Sequence, residues 1–215
     1  MSGEERKERE RLQREREILD AAQSLFTEKG FDAMTMDEVA KRADFTKRTV
    51  YSYFAGKEDL AAAVVARSLA RLNDLFAEAV KNGTTGLECI HAIGMEFIRF
   101  AENAPADFGV LARSEGNFGD PATAPHLESV IREVQRELEI MGGAIAEGIA
   151  DGTIRKDLDP TLTSIYLANF STSMMSAVRG PGSAMLAQFG IPAERFIEKG
   201  MEFFLFALRN EKGGS

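Results

Sequence analysis

Apolar positions recur at helical intervals along most of the chain. Ile18, Ala22, Leu25 and Phe26 fall at i, i+4, i+7 and i+8, one face of an amphipathic helix. Gly30 follows its last turn, where a left-handed C-cap is wanted. Thr35-Met36-Asp37-Glu38 then matches a capping box, a threonine N-cap with a glutamate three residues on. It predicts a short helix from Met36 to Ala43 that buries Met36, Val39, Ala40 and Ala43. Asp44 and Phe45 interrupt that helix, and Thr46 can cap a third one running to about Phe54. Val50 and Phe54, four apart, face inward; Lys47 and Tyr51, also four apart, share another face with Arg48 and Ser52 beside them. Three short helices with a tight turn between the last two make a helix-turn-helix unit.

The remainder reads as longer helices with clear punctuation: Glu58 to Lys81, Leu87 to Asn103, Pro105 to about Ser114, and a long helix ending near Ala150. A Gly/Pro-rich loop, Gly116 to Pro125, precedes the long helix. Gly142, Gly143 and Gly148 each weaken that helix by roughly 1 kcal/mol relative to alanine, and mark a bend or a close approach of another backbone. Two more helices span Thr161 to Arg179 and Ala193 to Asn210. No strand-like alternation interrupts them, so the chain is expected to be all-α. The expected organisation is a charged N-terminal arm (1–17), a three-helix unit (18–60) and a larger helical domain (61–215). Residues 4–17 alternate six basic with six acidic residues, a pattern that suits either a solvated helical extension or a disordered arm.

Charge sharpens the first part. The 215-residue chain has a formal net charge of -8, yet residues 41–57 set Lys41, Arg42, Lys47, Arg48 and Lys57 against Asp44 alone, net +4. Screening confines charge effects to about 8–10 Å, so a local basic face on an acidic body can still take a polyanion. Cations, a phenol and hydroxyls on one helix face are the groups that grip phosphates and read base edges. The bland alternative is a partly buried tyrosine beside solvated lysine and arginine. One cysteine, no apolar run near 18 residues and an N-terminus without an apolar core predict a cytoplasmic protein with no membrane span. Catalysis finds little support: Cys89 and His91 stand about 200° apart on a helix and cannot readily form a dyad or share a metal. No cofactor or metal is expected.

The stretch ILDAAQSLFTEKGFDAMTMDEVAKRADFTKRTVYSYFAGKEDL resembles the DNA-binding domain of the tetracycline-repressor (TetR) family. The resemblance lies in its AA–LF–KGF helix, its TMDEVAKRA helix and its T–Y–YF–KE–L ending, over about residues 18–65; ADGTIRKDLDP, Ala150 to Pro160, resembles a recurrent connector of the family. It implies that Thr35 binds phosphate, that Thr46, Lys47, Thr49 and Tyr51 face the groove or its walls, and that Lys57 anchors the far strand's backbone. The sequence departs from the pattern at Asp44, where glycine is usual, at Phe45, where a small aliphatic is usual, and at Arg48. Aspartate tolerates the left-handed conformation, and Arg48 adds a candidate phosphate or guanine contact.

The resemblance further implies a homodimeric repressor on a palindromic operator in double-stranded DNA, released by a small apolar or amphipathic ligand; a constitutive or architectural DNA binder is the alternative. Small and aromatic residues on the last two helices suit close packing, within the chain or between chains. The family's four-helix bundle between protomers favours the second, with Met175, Gly200, Phe203, Phe204 and Ala207 as candidates. For the ligand the candidates are polar residues on otherwise apolar helices, His91, Tyr166 and Asn169, with Met95, Phe108 and Phe170 as walls; ordinary core packing is the competing explanation.

Overall fold

The computed structural model, which describes residues 3–114, 120, 122–180 and 182–210, makes the charged arm helical. Helix α1 spans Gly3–Ala33. Pairs at i,i+3 and i,i+4 line its first half: Arg6 with Glu10 at 3.3 Å, and Arg11 with Glu8 at 2.9 Å and Glu15 at 3.3 Å. Gly30 breaks it with φ 82° and ψ 170°. That is not the expected left-handed cap but an extended, positive-φ conformation open essentially to glycine alone. Helix α2 (Met36–Arg42) and helix α3 (Lys47–Tyr51) follow. The expected α3 ran to Phe54; instead the Tyr53 and Phe54 amides both bond to the Val50 carbonyl, and the chain turns away after Ser52.

Contacts divide the chain into two compact units, Met1–Ala70 with Ala106–Glu133, and Arg71–Pro105 with Val134–Ser215. The first is built on Ile18, Ala22, Phe26, Val39, Val50 and Phe54, all at most 2% exposed. Each of these side chains larger than alanine contributes about 1.5–3 kcal/mol of apolar transfer. It takes in the first part of α4 (Lys57–Ala79), α6 (Pro105–Arg113) from Ala106 on and the start of α7 (Leu127–Asp151). Two buried carboxylates tie its elements together. The Asp107 carboxylate accepts from Gln23 Nε2 at 2.8 Å and Ser68 Oγ at 2.7 Å, joining α1, α4 and α6. The Asp59 carboxylate accepts from the Ala55 and His126 amides, each at 2.8 Å, and lies 2.9 Å from His126 Nδ1. The predicted loop Gly116 to Pro125 lies partly outside the described residues.

The second unit holds the rest of α4, a 3₁₀ turn (Val80–Asn82), α5 (Gly86–Asn103), the rest of α7, α8 (Pro160–Arg179), α9 (Gly182–Gln188) and α10 (Ala193–Leu208). Thr85 caps α5 and Asp159 caps α8, with Pro160 in the first turn where its missing amide costs nothing. The close backbone approach expected along α7 occurs at Gly148: a Cβ on Gly86 would stand 2.0 Å from the Gly148 nitrogen. The ADGTIRKDLDP connector is pinned to the end of α10, Arg155 N donating to Leu208 O and Asn210 N to Thr153 O, both at 3.0 Å. Helix α9 was not expected; it buries one large side chain, Leu186, too little periodicity to announce a helix. No described helix is long and apolar enough to cross a membrane.

Candidate nucleic-acid interface

Two caps hold the basic face in place. Thr35 Oγ1 accepts from the Glu38 amide at 3.3 Å, and the Glu38 carboxylate takes the Thr35 amide at 3.1 Å, so the predicted capping box is closed. Lys29 Nζ donates to the same carboxylate; that bond, followed by those from Thr35, pulls the Glu38 carboxyl down to about 2. Asp44 takes φ 57°, the left-handed turn that its short polar side chain tolerates. Thr46 then caps α3, its Oγ1 accepting from the Thr49 amide at 3.1 Å and lying 2.9 Å from the Thr49 hydroxyl. Five helical residues would not hold alone; the fully buried Val50 anchors them from below.

On the outer side of α3, Lys47, Arg48 and Tyr51 are exposed, Tyr51 at 46%. Lys47 Nζ lies 6.0 Å from the Tyr51 ring centroid and 2.7 Å from Asp37 Oδ1, and the bond to Asp37 raises the lysine's pKa. Lys57 is already engaged: its Nζ sits 4.4 Å above the Phe31 ring and donates to the Asp32 carbonyl at 2.9 Å. An ammonium has three donors, so this grip orients Lys57 and still leaves it able to take a phosphate oxygen. Phe45 is half-buried and packs against the core, and with Arg9, Gln13 and Arg14 of α1 it borders a shallow cleft. Sequence reasoning missed Asp37 as a partner of the α3 lysine; it read the TMDE segment for its cap alone.

The model of bacterial regulatory proteins of the tetR family matches residues 18–64, the segment that carries this geometry. An uncharacterised HTH-type transcriptional regulator of Bacillus subtilis, YhgD, is 29% identical over 157 residues, 73% of this chain and 79% of the relative. Residues 18–64 are thus a TetR-family DNA-binding domain. The B. subtilis fatty acid metabolism regulator protein is 27% identical over 149 residues, covering 68% of this chain and 73% of its own. In fold, the solved structure of the transcriptional regulator FadR from B. subtilis in complex with stearoyl-CoA gives a TM-score of 0.67 at 18% identity, over 90% of this chain and 98% of that one. The chain is accordingly a DNA-binding transcriptional regulator, with an N-terminal helix-turn-helix and a C-terminal helical part.

Outside the DNA-binding part, two groups of predicted residues are rearranged. Met175 is fully buried inside its own chain, and Gly200 makes room for Met174, whose sulfur would lie 2.4 Å from a Cβ there. Met175 therefore leaves the dimerisation set, and Gly200 serves the packing of α10 on α8 within the chain. Phe203 stays 65% exposed and Ala207 exposed, while half-buried Phe204 meets Phe170 edge-on at 4.1 Å. The ligand candidates divide between the two units. Phe108 is buried in the first unit, and His91, Tyr166 and Asn169 are exposed in the second. They lie off the buried stripes of α5 and α8, and Asn169 already donates to its own helix at the Ile165 carbonyl. Met95, at 36% exposure, borders a groove of about 370 Å³ between α4 and α5 with Leu75 and Arg99. One carboxylate that sequence reasoning passed over, Glu137, does sit on an inward stripe, that of α7.

Proposed function

We propose that this TetR-family regulator is a homodimeric repressor of a palindromic operator, released by a small apolar or amphipathic ligand. The observation that carries it is the capped α3, which presents Lys47, Arg48 and Tyr51 outward from a fixed core. Thr35, Thr46, Lys47, Arg48, Thr49, Tyr51 and Lys57 make the DNA contacts: hydroxyls and Lys57 hold phosphates, and the α3 face reads the groove. The ligand part of the reading is supported by the relative that regulates fatty acid metabolism and by the fold shared with a regulator solved with stearoyl-CoA. Two recognition helices related by a twofold axis, about 34–36 Å apart, match successive major grooves.

Selection from a random duplex pool at about 0.15 M salt tests this, because non-specific phosphate binding is already weakened there. A recovered palindrome supports the reading; no enriched sequence overturns it. The recovered duplex then serves two variants. Lys57→Ala is expected to weaken binding to all sequences alike and to reduce the slope of log K against log salt by about 0.9. Asp37→Asn is expected to tighten binding by about two- to fivefold, since it frees Lys47 from an exposed pair of modest strength and removes a negative charge beside the phosphates. Fluorescence anisotropy of the labelled duplex reads both, and unchanged or weaker binding by Asp37→Asn would mean that Lys47 does not reach the DNA.

A further inference from the structure

Helix α7 carries a carboxylate where its register calls for a hydrocarbon. Taking 100° per residue, Glu137 falls within the stripe formed by Met141, Ala144 and Ile145, which are 4%, 5% and 0% exposed. Glu137 is half-buried, and it has no hydrogen-bond or ion-pair partner among the described residues. Its neighbour Arg136 is turned elsewhere, Nη2 lying 2.7 Å from Asp74 Oδ1 of α4.

Helix α7 has different partners along its length. At Gly148 the helix touches the start of α5 backbone to backbone, with Gly86 fitted against it. Further toward its N-terminus Gly142 faces the Ser164 hydroxyl of α8, 3.8 Å from where a Cβ would be. About 18 Å from Gly148, at 1.5 Å per residue, α7 is tied to α4 by the side-chain pair of Arg136 and Asp74. Glu137 stands at that level, on the inward side.

A carboxylate without a partner in such a place is costly unless a counter-charge arrives. We propose that Glu137 is the head-group anchor of the ligand site, and that it selects an organic cation, an amine borne on an apolar body, over an anionic amphiphile of the same shape. This deepens, and rests on, the ligand-responsive reading above. The electrostatics agree: burial alone pushes the Glu137 carboxyl up to about 7, and an ammonium placed beside it would favour the ionised form. An anionic head group would instead add a second negative charge beside the first.

Three matched probes test it on the full-length chain by titration calorimetry at pH 7.5, each below its micellar concentration: decylammonium, decan-1-ol and decanoate. Decylammonium is expected to bind wild type at least tenfold more tightly than the other two. Glu137→Gln, which keeps shape and removes charge, is expected to abolish that preference while leaving decan-1-ol binding unchanged; Glu137→Leu, with a thermal melt of each variant, guards against a folding artefact. Decanol or decanoate bound as well as the amine, or a preference that survives Glu137→Gln, overturns the anchor and leaves the ligand-responsive reading standing. No binding by any of the three overturns the ligand-responsive reading, and the anchor with it.

Discussion

Asp59→Ala is expected to lower the unfolding free energy by about 3 kcal/mol, one of the two largest effects expected of this chain. Asp59 is 2% exposed and its carboxylate meets three groups: the Ala55 amide at 2.8 Å, the His126 amide at 2.8 Å and His126 Nδ1 at 2.9 Å. Alanine leaves two main-chain amides without their acceptor, each costing about 1–3 kcal/mol when buried. The first of them belongs to the turn that follows α3, and the second to the residue that precedes α7. The His126 ring also rests on Phe54, centroids 5.3 Å apart, and Phe54 is 1% exposed in the core beneath the recognition helix. Urea unfolding followed by circular dichroism reads the loss as a lower midpoint at unchanged slope. Asp59→Asn retains an acceptor oxygen and is expected to lose roughly half as much. A drop below about 1 kcal/mol in the alanine variant would show that water takes over the carboxylate's bonds.

The clasp at Asp59 also marks where sequence reasoning reaches its limit. Thr35 and Glu38 are three residues apart, and Val50 and Phe54 four, so local geometry alone announces the capping box and the inward face of α3. Asp59 and His126 are 67 residues apart, and nothing in a single sequence pairs them. The early end of α3 escaped for a different reason: Tyr53 and Phe54 continue the apolar pattern, while the backbone leaves the helix to close two bonds on Val50. In the C-terminal part the pattern identifies apolar residues without saying which surface each one meets. Met175 and Phe203 look alike in a hydropathy plot, yet one is fully buried and the other 65% exposed. His91 and Glu137 illustrate the reverse. Both are polar residues on helices with an apolar face, and only their angle to the buried stripe separates them. Glu137 was legible by that measure but hidden in the charge-rich run Glu128 to Glu139.

The double variant Phe203→Glu with Phe206→Glu is expected to convert the protein from dimer to monomer at micromolar concentration and to weaken operator binding at least about 100-fold. Phe203 and Phe206 are 65% and 68% exposed on α10, and Tyr166 is 65% exposed on α8. The two helices are locked to each other behind these rings by Gly200 against Met174 and by the Phe170–Phe204 contact. Large aromatics gathered on one pair of helices mark a surface that is covered in use, and the proposed dimer covers it with the same surface of a second copy. A twofold interface presents each residue twice, so two substitutions place four carboxylates in it. Each lost aromatic forfeits about 1.5–3 kcal/mol of burial per copy, before the cost of desolvating the new charges. Operator affinity falls further than any single contact explains, because the second half-site is no longer held at an effective concentration in the millimolar range. Sedimentation velocity reads the first effect and anisotropy on the palindrome the second. A half-site duplex and the circular dichroism spectrum provide the controls, and both are expected to be unchanged, since neither ring belongs to the core. A double variant that still sediments as a dimer would move the interface off α10, and a wild-type monomer that binds the palindrome at full affinity would remove the dimer from the mechanism.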